Sequence, residues 1–107
     1  MMRELDRGME DVRNRLLYMG GLAEEMIRLS MEVLSSRTRA PLEGVWTREK
    51  EVNSLHLEID DKCLTLIARH QPAAIDLRSL IAAARMTSDL ERIGDQAVNV
   101  AQNGEVL

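Results

Sequence analysis

The sequence predicts an all-α protein, folded as an elongated up-down-up bundle of three helices. Three observations predict this fold: a long heptad pattern of apolar residues, two breaks that each contain a proline, and an apolar composition with only two aromatic residues. The chain has 107 residues, of which 45% are apolar and 30% charged, as is typical of a globular protein. We therefore expect residues 1–107 to form a single domain.

The first helix is predicted over residues 4–36. Its heptad positions alternate steps of four and three residues, and all but Ser30 are apolar: Leu5, Met9, Val12, Leu16, Met19, Ala23, Met26, Ser30 and Val33. This spacing places one stripe of side chains against neighbouring helices. Gly20 and Gly21 interrupt the stripe, at a cost of about 1 kcal/mol each relative to alanine. They are either tolerated, or they mark a point where another helix comes close.

The second helix is predicted over residues 41–70 and the third over residues 73–103. Pro41 follows the polar stretch "SSRTR" and suits the first turn of a helix, and Pro72 opens the third helix in the same way. Gly104 is expected to end that helix. Helices of about 30 residues are about 45 Å long, and the short connections make neighbouring helices antiparallel.

Charge and composition exclude several classes of protein. A net charge of −4 argues against nucleic acid as a partner, because phosphate binding needs a basic surface. Cys63 is the single cysteine, so no internal disulfide can form, and a reducing compartment is indicated. The N-terminal "MMRELDRGMED" is too charged for a signal peptide, and no apolar run approaches the length of a membrane span. We expect a soluble cytoplasmic protein with no direct membrane insertion.

Two rows of polar side chains are the candidate site. The rows are Glu49, Asn53, His56 and Asp60 on the second helix and Glu91, Asp95 and Asn99 on the third. An apolar stripe of Met86, Leu90, Ile93, Ala97 and Ala101 would turn Glu91 and Asp95 toward solvent. They are then either an ordinary solvated face or ligands for a hard cation such as magnesium, manganese, calcium or iron. A lone histidine such as His56 is expected to be satisfied by a hydrogen bond.

Four segments resemble the PhoU family of phosphate-uptake regulators. They are "MGGLAEEM", "EIDDKC", "QPAAIDLR" and "LERIGDQAVNVA", in the order and at the spacing that the family shows. The resemblance covers nearly the whole chain. It implies a helical protein that corresponds to one of the two three-helix repeats typical of the family. It also implies a regulator that acts with the phosphate ABC transporter and its sensor kinase.

The resemblance also implies a metal site. Glu91 and Asp95 match the family's acidic pair on the third helix, and Glu49 and Asn53 match the pair on the second, with Asn53 at a position where aspartate is common. Asn99 follows on the same face. The implied cofactor is a divalent or ferric ion: iron, manganese, magnesium or zinc. Asn53 and Glu91 each lie 19 residues from Pro72, so antiparallel packing brings them to the same height.

The predicted function is therefore a non-enzymatic one. We expect a metal-binding helical module that docks on the transporter ATPase, the sensor kinase or both, and that forms a homodimer because the family places two bundles side by side. A carboxylate-bridged dimetal enzyme is an alternative, but it needs a Glu-x-x-His motif, which does not begin at Glu49 or Glu91. A purely structural dimerisation bundle is another.

Overall fold

Three long helices make up the computed structural model, which describes residues 3–106. They are α1 (Glu4–Ser36), α2 (Ala40–His70) and α3 (Ala74–Val106). Each helix packs against the other two, and the bundle measures 53 × 21 × 17 Å. The connections are three residues long, so consecutive helices run antiparallel. The predicted all-α, up-down-up fold is confirmed.

The two connections begin with residues in the left-handed conformation. Arg37 has φ 54° and Gln71 has φ 44°. The amide of Arg37 donates to the carbonyl of Val33 at 2.8 Å, and that of Gln71 donates to Ile67 at 3.1 Å, so each residue closes the last turn of its helix. The chain can then reverse within a few residues, at the two breaks that the sequence predicts.

The core runs the length of the bundle and contains mostly aliphatic side chains. On α1 the buried residues are Leu5, Val12, Met19, Ala23, Met26, Ser30 and Val33. On α2 they are Leu42, Val45, Val52, Leu55, Ile59, Cys63 and Leu66. Met9 and Leu16 of the predicted heptad are only partly buried and pack against this core. The heptad pattern of α1 thus predicts its buried side well.

The apolar stripe predicted for α3 is wrong in part. Met86 and Ile93 are 51% and 39% exposed. Ala97 and Ala101 of that stripe are buried as predicted, and the residues buried in line with them are Leu80, Ala83, Thr87, Gly94 and Val98. Most of these residues are small, so they contribute less to a hydrophobicity pattern than the larger side chains beside them. The packed side of α3 is therefore rotated away from the side that periodicity indicates, and Glu91 lies closer to the core than expected.

Glycines on α3 explain why small residues line its packed side. A Cβ on Gly94 would lie 3.4 Å from both Sδ and Cε of Met26, which is ordinary contact, so this methionine occupies the space that any side chain larger than alanine would need. Gly104 was expected to end the helix, but it lies inside α3 and packs against Val33 and Leu34. The expectation fails because close packing, rather than a turn, requires glycine there.

Gly20 and Gly21 face open space instead. A Cβ built on either residue meets no atom within 4 Å. Within residues 3–106, then, no second helix approaches this point of α1. Over the same residues, none of the helices combines the length and the apolar character that crossing a membrane requires.

Candidate functional site

Carboxylates from two helices meet at the α2–α3 interface. Glu49 is partly buried on α2, while Glu91 and Asp95 lie one turn apart on α3. Burial raises the pKa of the Glu49 carboxyl, and the negative charges of Asp95 and then Glu91 raise it further. Both acids of α3 are therefore close enough to Glu49 to repel its ionised form. Three of the four predicted metal ligands therefore lie within range of one another's charge across this interface.

His56 lies between acids of both helices. Its Nε2 is 3.4 Å from Oε2 of Glu91 and 3.5 Å from Oδ2 of Asp60, and its side chain is 21% exposed. Neither Nδ1 of His56 nor Oε2 of Glu91 makes a hydrogen bond, although both atoms are buried. The expectation that a hydrogen bond satisfies this histidine is wrong for Nδ1. Buried polar atoms without a hydrogen bond destabilise a fold, so these two atoms are candidates to contact a ligand.

Thr87 holds the inner end of this cluster. Its side chain is fully buried, and its hydroxyl lies 3.0 Å from Oδ1 of Asp60 and 2.7 Å from the carbonyl oxygen of Ala84. A hydroxyl has one proton to donate, so the two acceptors share it. The contact fixes the Asp60 carboxylate with its other oxygen toward His56. Because its hydroxyl has these acceptors, a polar residue can occupy this core position of α3.

The cluster opens on a shallow depression in the surface. Its volume is about 260 Å³, and it is lined by His56, Ser88, Glu91, Arg92 and Asp95. Arg92 is exposed and lies 3.9 Å from Asp89, so it contributes one positive charge to the rim. The depression is open to solvent, so an ion or a partner side chain can reach the carboxylates directly.

The structure separates the predicted ligands into two groups. Glu91 and Asp95 line the depression; Glu49, Asn53 and Asn99 do not, and of these three only Glu49 is partly buried and affected by the charges of the α3 acids. Within the described part of the chain, no three His, Cys, Asp or Glu side chains converge in an arrangement ready to hold a metal ion.

The chemistry of the donors nevertheless fits a hard cation. Carboxylate oxygens and one imidazole nitrogen are ligands that iron, manganese and zinc accept. The orphaned Oε2 of Glu91 and the repulsion felt by Glu49 are both features that a cation would relieve. Glu49, Glu91 and Asp95 would hold such an ion, together with His56. The sequence places His56 in one row with Glu49 and Asp60, but we expected a hydrogen bond to satisfy it and did not count it among the metal ligands.

The raised pKa of Glu49 predicts a pH dependence of stability. In the metal-free protein the folded state binds a proton on Glu49 more readily than the unfolded state does, because the ordinary value is 4.5 and the folded value is higher. Stability from this group is fully present below 4.5 and is lost as the pH rises through the raised value. Glu49→Gln should therefore raise the melting temperature at pH 7 and leave it nearly unchanged at pH 4.

Thermal melts between pH 4 and 7 in the presence of a chelator measure this difference. Asp61→Asn, at an exposed position of α2, is the control and should shift the melting temperature little at any pH. If Glu49→Gln and Asp61→Asn behave alike across this range, the burial and repulsion at Glu49 do not affect stability.

Comparison with known proteins finds one family that matches this chain. The profile of the PhoU domain matches residues 16–104. The chain is 37% identical over 100 residues to the phosphate-specific transport system accessory protein PhoU homolog of Pseudomonas aeruginosa, a match that covers 94% of this chain and 41% of that protein. It is also 37% identical over 107 residues to the homolog of Deinococcus radiodurans, covering 99% of this chain and 50% of that protein.

A solved structure shows the same fold. The crystal structure of PhoU from Pseudomonas aeruginosa superimposes with a TM-score of 0.94 at 36% sequence identity, over 97% of this chain and 50% of that chain. The chain therefore spans about half the length of the relatives that it matches. The matched region includes both rows of the candidate site.

Proposed function

The chain belongs to the PhoU family, and we propose that it is a regulator of phosphate uptake that acts by binding and not by catalysis. The observation that supports this most directly is the 37% identity, over 94% of the chain, to a phosphate transport accessory protein. The described side chains add a second argument: Ser88 lines the depression beside His56, but no hydrogen bond joins the two, as a nucleophile and its base would require.

The proposed cofactor is a divalent or ferric ion held by Glu49, Glu91 and Asp95 together with His56. Such an ion would neutralise carboxylates that otherwise repel one another, and it would offer positive charge to a partner. The depression is shallow and lies at the edge of the bundle, which suits recognition of a partner better than enclosure of a small substrate.

The proposed partners are the ATPase of a phosphate ABC transporter, its sensor kinase, or both, met in the cytoplasm. We also propose that the chain works as a homodimer, because α3 exposes large apolar side chains, Met86 and Ile93, that a second copy could cover.

A dimetal enzyme remains the second candidate, and the position of the acids counts against it. Enzymes of that class direct their carboxylates into the centre of the bundle. Here the centre is occupied by apolar side chains such as Met19, Met26 and Ile59, while Asp95 is exposed.

The regulatory role is tested in a strain that lacks the gene for this chain. Grown with abundant phosphate, the strain should express a phosphate-starvation reporter that the parent represses, and the intact gene should restore repression. An unchanged reporter in the deletion strain would contradict the proposal. Binding of the purified chain to the transporter ATPase, with manganese and with chelator, tests the docking step separately.

A further inference from the structure

A second heptad stripe runs along the outside of α1. It consists of Arg13, Leu17, Gly20, Glu24, Ile27 and Met31, at alternating steps of four and three residues. We call this set the α1 stripe. Leu17 and Met31 are 64% and 56% exposed, so large apolar side chains project from it. Steps of four and three residues place these six side chains on one face of the helix, and the three large apolar ones can pack against another helix.

Among the residues that the structure describes, the α1 stripe has no polar contacts of the kind that join the edges of α1 and α2. Those contacts join Asp11 to Lys62 at 2.5 Å, Arg15 to Glu58 at 2.6 Å and Tyr18 to Glu51 at 2.7 Å. Along the stripe the charged residues are Arg13 and Glu24, and within residues 3–106 neither of them makes an ion pair. The stripe thus carries one positive and one negative charge without partners, separated by apolar residues and a glycine.

We propose that the α1 stripe is the surface through which two copies of this chain associate, with their α1 helices packed antiparallel about a twofold axis. The axis passes between positions 18 and 19. Leu17 then lies over Gly20 of the second copy, and Arg13 lies beside Glu24 of the second copy. The inference deepens the homodimer of the proposed function and rests on it.

Four of the six stripe residues are complementary to one another in this register, while Ile27 and Met31 lie opposite Glu10 and Asp6. In a twofold contact, residues at equal distances on either side of the axis face each other. Leu17 and Gly20 are equally far from the axis, and so are Arg13 and Glu24. Each exposed leucine therefore meets a glycine, and each unpaired arginine meets an unpaired glutamate. Open space at Gly20, where a Cβ would touch nothing within 4 Å, leaves room for the leucine.

Further apolar surface lies on the α3 side of the stripe. Met86 lines an open groove of about 710 Å³ together with Met9, Arg13 and Leu16. Ile93 follows one heptad later on the same side of α3. These side chains flank the proposed contact and add to the area that a second copy would cover, which explains why α3 exposes them.

Charge exchange tests the register. Sedimentation equilibrium of the full chain between about 1 and 200 µM, a range that detects weak dimers, should show self-association. Arg13→Glu alone and Glu24→Arg alone should each weaken the dimer about tenfold or more, because each places like charges together twice per dimer. The double variant should restore association. Arg78→Glu, at an exposed position of α3, is the control and should have no effect.

Replacing Gly20 by leucine should raise the stability of the monomer and weaken the dimer, so the two effects can be told apart. Gly20→Leu should raise the melting temperature of the monomer, since leucine favours a helix and has free space there, and it should also abolish the dimer. A chain that stays monomeric up to about 200 µM would overturn the inference. So would a dimer that Gly20→Leu leaves intact, or one that the double charge exchange does not restore. The phosphate-starvation reporter is read separately, so the regulatory role can stand if this surface fails.

Discussion

Replacing Glu91 and Asp95 together by alanine should abolish metal uptake and leave the helical content unchanged. Both carboxylates belong to the cluster that crosses the α2–α3 interface, and Asp95 is exposed while Glu91 is partly buried, so neither fills the core. Loss of two charged ligands should weaken binding by more than about 100-fold, since removal of even a supporting group costs 10–100-fold. Calorimetric titration with manganese, elemental analysis after dialysis and circular dichroism measure the three quantities.

A matched control removes two carboxylates that lie elsewhere. Glu43→Ala with Asp61→Ala changes the net charge by the same amount at exposed positions of α2, and it should leave metal affinity intact. Metal should also raise the melting temperature of the wild type by mass action, and it should not raise that of the Glu91 and Asp95 variant. If the wild type takes up no metal, and if manganese, iron, magnesium and zinc leave its melting temperature unchanged, these acids belong to an ordinary solvated face.

Single substitutions separate the two sets of ligands. Family resemblance points to Asn53, whereas the structure leaves Asn53 exposed and places His56 against Glu91. His56→Ala should therefore weaken metal binding more than Asn53→Ala does. The reverse order would mean that Asn53 turns toward the cluster when metal is present.

The sequence predicts α1 and the helix boundaries well because strong local signals define them. A stripe of large apolar residues marks the buried side of α1, and a proline follows soon after each reversal of the chain. The packed side of α3 is harder to predict, because Ala83, Thr87 and Gly94 are chosen for close approach and contribute little hydrophobicity. These residues are buried because the facing helices fit closely against them, and the periodicity of α3 alone gives no information about those helices.

The same rotation of α3 explains what sequence reasoning missed at the site. An apolar stripe through Met86 and Ile93 turns Glu91 to solvent, and His56 then has no reason to meet it. With Gly94 against Met26, Glu91 moves to the edge of the core and its Oε2 becomes buried beside His56. Family resemblance identified the acids of α3, but only the packing of α2 on α3 shows that the histidine lies with them.

The contact between Met26 and Gly94 should be the most sensitive point of the core. Met26 is fully buried, and its Sδ and Cε fill the space above Gly94. Met26→Ala should cost about 2–5 kcal/mol of the free energy of unfolding, through lost burial and the cavity left behind. A domain of this size has a total stability of about 5–15 kcal/mol, so this single change removes a large share of it. Leu57→Ala, at a position 68% exposed, is the control and should cost less than about 0.5 kcal/mol.

Substitution of Gly94 should produce the opposite defect at the same place. Gly94→Ala should be neutral or stabilising, since its Cβ makes ordinary contacts with Met26 and Val52 and alanine favours a helix. Gly94→Leu should cost about 1–3 kcal/mol by overpacking. Combined with Met26→Ala, the added leucine can occupy the cavity, so the double variant should be more stable than the sum of the two single effects by about 1–3 kcal/mol. Urea unfolding of the four proteins measures this coupling, and strictly additive effects would mean that the two residues do not share one space.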